Sequence, residues 1–226
     1  MERFYPIEGI RINCFASMYS EIAQEAFVRA HGFFEEMERL NFNVEKTYGI
    51  EPKYNKEIII SIVFSAMAVE SFINDYAAVC LGDRFFIENI DRLSSLSKLQ
   101  VISKFLFHKE LEKGEDLFGK IKGLFQMRDR FVHNKSSAFD YSVLEKSSSV
   151  PPDEDWILTN PGGENKRDYT EAFNGLKTIY LLAEYFDKND PNIQAFFRLC
   201  LYNESDQEMT EEYVKQAAVL LGITKE

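Results

Sequence analysis

One segment, residues 55–81, constrains the fold more than any other because it is apolar on almost every side of a helix. A helix of that kind is packed by neighbours on several sides. We therefore expect this segment to be the central helix. Its most apolar part, Ile58 to Val69, covers about twelve residues, fewer than the roughly twenty needed to cross a bilayer. The segment thus predicts a buried helix, and no membrane partner is expected.

The rest of the chain shows helical periodicity without a competing strand pattern. From about residue 12 to 40, apolar side chains recur at three- and four-residue steps, along a stripe that includes Phe15, Met18 and Ala30. Asp168 resembles the first residue of a capping box, and Gly222 is placed as a helix C-cap. The other predicted helices span about 93–107, 115–132, 168–189, 193–202 and 211–221.

These elements predict an all-α fold in one domain, residues 1–226. We expect an up-and-down bundle of four to five long helices over about 12–187, with peripheral C-terminal helices at about 190–222. Serine, proline and glycine pairs interrupt the chain between the fourth and fifth helices. They predict a long loop insertion over about 136–167.

Charge and cysteine content limit the partners and the compartment. The net charge of −11 makes the molecule as a whole repel nucleic acid and anionic membranes, so any such binding needs a local basic patch. Cys14, Cys80 and Cys200 lack disulfide or metal-site spacing. The N-terminus lacks the apolar run of a signal peptide. A reducing cytoplasm is the predicted compartment.

One short stretch reverses this charge. Between Lys120 and Lys135 the chain has five basic residues and one acidic residue, a charge of +4 against −15 for the remainder. The stretch ends in the run RDRFVHNK, residues 128–135. It is a local site for attracting anions.

The spacing within this run indicates proton transfer beside a phosphate. Asp129 and His133 lie four residues apart on one helix face. The carboxylate can therefore accept the Nδ1 proton and leave Nε2 free to handle a proton. Arg128 lies about 100° round the helix from Asp129 and reaches the same surface only if the last turn loosens. With RNA, His133 would act on the 2′-hydroxyl and Arg128 would stabilise the pentavalent transition state, so no metal or other cofactor is expected.

The run resembles the motif of the HEPN superfamily, which is Arg, four to six residues, then His. Here four residues separate Arg128 from His133, and Asp129 is the polar residue that the family favours after the arginine. Glu70 and Asn74, four apart on the predicted central helix, resemble the polar face that packs on the motif helix in many members.

The resemblance implies an all-helical homodimer that cuts single-stranded RNA without metal, in prokaryotic defence or toxin-antitoxin systems and with a possible cognate antitoxin. Two features depart from the family pattern. Lys135 stands where some members carry a tyrosine, and an insertion directly follows the motif. The candidate residues are Arg128 and His133 as catalytic residues, Asp129, Asn134, Glu70 and Asn74 in support, and Arg130 and Lys135 for phosphate.

The same residues have a purely structural interpretation. Arg128 can satisfy a buried Glu70, and His133 followed by Asn134 suits the C-terminus of any helix. The alternative function is a catalytically inactive helical dimer that binds a protein, nucleotide or RNA partner, with the 136–167 loop as its recognition element. A metal enzyme is disfavoured because no ligand spacing occurs. The other two histidines, His31 and His108, are predicted to be structural.

Overall fold

The described part of the chain is built from helices. The structure, a computed structural model, describes residues 15–111, 114, 116–133, 162–200 and 212–223. Helices make up 84% of these residues and no strand occurs among them. The prediction of an all-α fold is therefore confirmed. In chain order the α-helices are α1 (Ala16–Arg39), α2 (Val44–Thr47), α3 (Glu51–Leu81), α4 (Asp83–Phe85), α5 (Ser95–Phe105), α6 (Asp116–Val132), α7 (Gly163–Asn189), α8 (Ala195–Cys200) and α9 (Glu212–Leu220).

Helix α3 is the centre of the fold, as predicted from its apolar circumference. It packs against α1, α5, α6 and α7, and Ile62, Val69 and Ile73 are fully buried. It begins a few residues earlier than predicted because Pro52 lies in its first turn, where a fixed φ favours the helix and a missing N–H costs nothing. It ends at Gly82, whose φ of 87° is readily adopted only by glycine.

The apolar part of α3 is longer than the twelve residues noted in the sequence. An 18-residue window has a mean hydropathy of 1.6, so by length and composition α3 could cross a membrane. Of that window, 56% is buried inside the protein. The core helix of a soluble protein passes the same test, so α3 alone is only a weak indication of a membrane span.

Helices α3 and α7 run parallel, so the predicted up-and-down order is not kept for this pair. Near the start of both helices, the Tyr54 hydroxyl donates to the Asn165 carbonyl at 2.6 Å. Near the end of both, the rings of Phe72 and Phe186 meet edge to face at 4.9 Å. The end of α6 lies beside the start of α7, where Arg130 Nη2 donates to Asp168 Oδ1 at 3.2 Å.

Helix α1 packs antiparallel to α3, and the predicted stripe lies on its buried side except at the first turn. The Tyr19 ring contacts Phe64 at 5.8 Å. Phe15 and Met18, both placed on the stripe, are 41% and 43% exposed. Small side chains make up much of the buried face, and they let the helix backbones approach closely. The buried residues of α1 are Ala16, Ser20, Ala23, Gln24, Ala26, Phe27, Ala30 and Met37.

Helix α7 begins at Gly163 rather than at Asp168, so the predicted capping box is wrong and the predicted loop ends too late. Gly162 precedes the helix with a φ of 72°, a left-handed conformation available to glycine. The turn from which α7 begins is therefore formed at Gly162 and Gly163. Asp168 lies inside the helix, and its carboxylate accepts hydrogen bonds from arginine side chains instead of capping the helix.

The C-terminal helices cover the bundle from one side. Helix α8 packs against α7 and α1, and α9 packs against α1. Gly222 ends α9 with a φ of 67°, donating to the Val219 carbonyl at 2.9 Å while Ile223 donates to Ala218 at 3.0 Å. This pair of bonds is a Schellman motif, and it confirms the predicted C-cap.

The aromatic cluster between α3 and α7 generates the first prediction. Phe186 is fully buried and meets Phe72, Tyr76 and Phe107. Phe186→Ala should lower the free energy of unfolding by about 3–5 kcal/mol, because it removes a buried ring and leaves a cavity. Phe105→Ala is the matched control, since that ring is 69% exposed, and should change stability by less than about 0.5 kcal/mol. Equal losses in urea unfolding would contradict the assignment of the core.

Candidate functional site

The candidate site lies at the C-terminal end of α6, where the helix crosses α3 and α7. The apolar residues Leu117, Ile121 and Leu124 bury one face of α6. The last turn stays helical, because the His133 N–H donates to the Asp129 carbonyl at 2.9 Å. Two predicted site residues, Asn134 and Lys135, and most of the predicted 136–167 loop lie outside the described residues.

Arg128 continues the inward face of α6 and contacts two carboxylates. Its Nη1 lies 3.4 Å from Glu70 Oε2, and its Nε donates to Asp129 Oδ1 at 2.9 Å. The guanidinium also stacks over the Phe125 ring, 5.0 Å from its centroid. The side chains of Arg128 and Glu70 are 27% and 37% exposed. The guanidinium is thus held in one orientation at the rim of the bundle, accessible from one side.

Asn74 does not share a partner with Glu70, although both lie on the predicted face of α3. Its Oδ1 accepts a hydrogen bond of 2.8 Å from Lys98 Nζ on α5. Lys98 is buried and lies over the Phe86 ring at 5.4 Å, with the Asp91 carboxylate 4.0 Å away. Lys98 was not foreseen, because a lysine inside an amphipathic helix is ordinarily a surface residue.

His133 is exposed, and the structure does not bring it to Arg128 or to the Asp129 carboxylate. The predicted Asp129–His133 contact is not found among the described residues, where the Asp129 carboxylate accepts from Arg128. Because the last turn stays helical, the five-residue spacing places Arg128 and His133 about 140° apart around α6. One chain therefore presents the guanidinium inward and the imidazole outward.

Arg130 lies on the outer flank of α6 and contacts α7. Its Nη2 donates to Asp168 Oδ1 at 3.2 Å, and its guanidinium lies 5.0 Å from the centroid of the Phe131 ring. Arg167 donates to the same Asp168 oxygen from Nε and Nη2 at 3.3 Å. Arg167 is not among the predicted site residues, because residue 167 is predicted to lie in a loop, whereas it lies on a helix that contacts α6.

The other two histidines lie away from this site. His31 Nδ1 is 2.8 Å from the Tyr169 hydroxyl, and Nε2 is 3.4 Å from the Glu35 carboxylate. Burial, with a contribution from the charge of Glu35, raises the pKa of Tyr169 to about 12. The phenol therefore keeps its proton at neutral pH and can donate it to His31. His108 is exposed in a left-handed conformation after α5, with a φ of 55°.

An open groove of about 400 Å³ lies between α6 and α7, apart from the predicted residues. Gly119, Gly123 and Gly175 form much of its wall, and Lys120 crosses it to donate to Asn174 Oδ1 at 3.0 Å. None of the candidate site residues lines it. Within the described residues, no three His, Cys, Asp or Glu side chains lie together as metal ligands.

Comparison with known proteins gives no match: no family model, curated protein or solved structure is significantly similar to this chain.

The Arg128–Glu70 contact yields a prediction that separates a structural clamp from an accessible site. In a double-mutant cycle with Glu70→Gln and Arg128→Gln, the coupling free energy should be below about 1 kcal/mol, because both side chains are substantially solvated. Urea unfolding of the four proteins measures it. The exposed pair Arg84–Glu88 is the control and should give a coupling near zero. A coupling of several kcal/mol at Glu70–Arg128 would contradict the description and make Arg128 a structural residue.

Proposed function

We propose that the protein is a metal-independent endoribonuclease of HEPN type that acts on single-stranded RNA as a homodimer. The observation that carries the proposal is the end of α6, where an oriented, one-side-accessible Arg128 precedes an exposed His133 by five residues. Guanidinium and imidazole are the groups that phosphodiester cleavage by an internal 2′-hydroxyl requires.

In the proposed reaction, the His133 imidazole takes the proton of the RNA 2′-hydroxyl. The 2′-oxygen then forms a bond to phosphorus while the bond from phosphorus to the 5′-oxygen breaks. The departing 5′-oxygen takes a proton from water, and the His133 imidazolium returns its proton to the solvent. The products are a 2′,3′-cyclic phosphate and a 5′-hydroxyl. Arg128 donates to the phosphate oxygens as their charge rises.

The homodimer is part of the proposal because one chain does not join its own two groups. Arg128 and His133 point about 140° apart around a helix whose last turn is intact. A two-fold axis beside the end of α6 would place the outward-facing His133 of each subunit near Arg128 at the rim of the other subunit. Each cleavage site would then combine Arg128 from one subunit with His133 from its partner.

A specific observation favours a second function, a helical module that binds a partner without catalysis. Arg128 already contacts two carboxylates, Glu70 and Asp129, and both compete with RNA for the guanidinium. A module of this kind would use the same rim for a protein, nucleotide or RNA partner. A cytoplasmic location, a role in prokaryotic defence or a toxin-antitoxin system, and a cognate antitoxin are further parts of the leading proposal.

Cleavage of a pool of labelled single-stranded RNAs in EDTA tests the proposal. The wild type should cut and leave 2′,3′-cyclic phosphate ends. His133→Ala and Arg128→Ala should each lower the rate at least about a hundredfold, since proton transfer and charge stabilisation each contribute about that much. Gel separation before and after mild acid treatment identifies the cyclic ends.

His108→Ala is the matched control, because His108 is an exposed histidine after another helix, and it should cut like the wild type. All variants must match the wild type in thermal unfolding and in oligomeric state. No cutting by any of these proteins, or equal cutting by all of them, would contradict the nuclease proposal and favour the non-catalytic binding module.

A further inference from the structure

Among the described residues of α6, the cation that shares a helix flank with His133 is Arg130, not Arg128. Residues three apart on a helix have Cβ atoms about 5–6 Å from each other, and Arg130 precedes His133 by three. The Arg130 side chain is 44% exposed. Among the described cations of α6, Arg130 is therefore the nearest to His133 on the helix surface.

Arg130 forms a pair with Arg167 of α7, since both donate to one oxygen of Asp168. The three contacts, at 3.2, 3.3 and 3.3 Å, keep the donor nitrogens of the two residues within about 6.5 Å of each other. Two guanidiniums on one carboxylate leave an excess charge of +1. Arg167 is 52% exposed and Asp168 is 20% exposed. The excess charge therefore faces solvent.

The pair has the geometry for a phosphate group. A guanidinium carries five N–H donors, more than the contacts with Asp168 use. The Arg130 guanidinium also lies 5.0 Å from the centroid of the Phe131 ring, a cation–π contact that restrains the side chain before binding. A phosphodiester lying over the pair can accept a hydrogen bond from each arginine on separate oxygens.

We propose that Arg130 and Arg167 form a second phosphate subsite, which binds the phosphodiester next to the one that is cleaved in a single-stranded RNA. The inference rests on the proposed function for its ligand, and it assigns Arg167 and the start of α7 to RNA binding. The strand thus runs from the end of α6 across to α7. Asp168 positions both guanidiniums before the RNA arrives.

The test is binding of a fluorescent single-stranded oligonucleotide with 2′-deoxy sugars, which cannot be cleaved through a 2′-hydroxyl. Arg130→Gln and Arg167→Gln should each weaken binding about tenfold, as expected for loss of a charged hydrogen bond. The double variant should lose clearly less than the product of the two effects, because both residues hold one phosphate. The logarithm of the binding constant decreases linearly with the logarithm of the salt concentration. In the double variant the magnitude of this slope should be about 0.7 smaller than in the wild type, the value for loss of one phosphate contact on a single strand.

Arg84→Gln is the control, because Arg84 is an exposed arginine remote from this flank that pairs with Glu88, and it should leave binding unchanged. Thermal unfolding should be similar in all variants, and Arg167→Lys should recover part of the affinity by restoring the charge without the planar fork. Unchanged binding in both glutamine variants, a fully multiplicative loss, or no binding by the wild type would each overturn the subsite.

The same proteins separate this inference from the proposed function. If ribo-oligonucleotides are cut normally while Arg130→Gln and Arg167→Gln bind normally, the subsite is wrong and the nuclease proposal stands. If the wild type binds but does not cut, and both variants lose binding in the non-multiplicative way, the subsite stands and the nuclease proposal is wrong.

Discussion

The burial of α3 on several sides is the constraint on which the rest of the structure depends. Helix α3 is surrounded by α1, α5, α6 and α7, so several of its polar side chains lie beside neighbouring helices and pair with groups there. Glu57 contacts Arg29 of α1 at 2.9 Å, Glu70 contacts Arg128 of α6, and Asn74 accepts from Lys98 of α5. Three polar positions on one helix thus meet cations from three directions. The buried apolar face of α6 fixes the position of that helix, and Glu70 orients the Arg128 guanidinium at its end.

This arrangement explains how one residue can satisfy both a structural and a catalytic interpretation. Glu70 and Asp129 orient the Arg128 guanidinium and also occupy part of its hydrogen-bonding capacity. A solvated ion pair of this kind contributes little to stability, so its loss to a phosphate ligand would cost little. The contacts of Arg128 with Glu70 and Asp129 would orient the guanidinium for RNA, and they would orient it equally for a protein or nucleotide partner. Within one chain Arg128 faces inward and His133 faces outward, so this arrangement fits a partner-binding rim as well as a cleavage site completed by a second subunit.

The sequence predicts the fold where periodicity and turn chemistry are local. The all-α class, the central position of α3 and the Gly222 cap all follow from patterns within a few residues. The first turn of α1 and the start of α7 differ from the prediction for tertiary reasons. Ala16 is buried at the start of α1 while Phe15 and Met18 are exposed, and α7 begins after the Gly162 turn rather than at Asp168. Helical spacing predicts which site residues lie on α6, but it does not predict which residues of other helices contact the site residues. The roles of Arg167 and Lys98 depend on how the helices pack, so the sequence does not reveal them.

The central claim is that Arg128 and His133 act together across two subunits. Its most direct test is cleavage by a mixed dimer, made by co-expressing differently tagged Arg128→Ala and His133→Ala chains and purifying on both tags. Each mutant homodimer lacks one group at both sites, whereas the mixed dimer regains one complete site of two. The account predicts metal-independent cleavage at about half the wild-type rate, as two-fold symmetry requires. A mixed dimer as inactive as either mutant homodimer would contradict it.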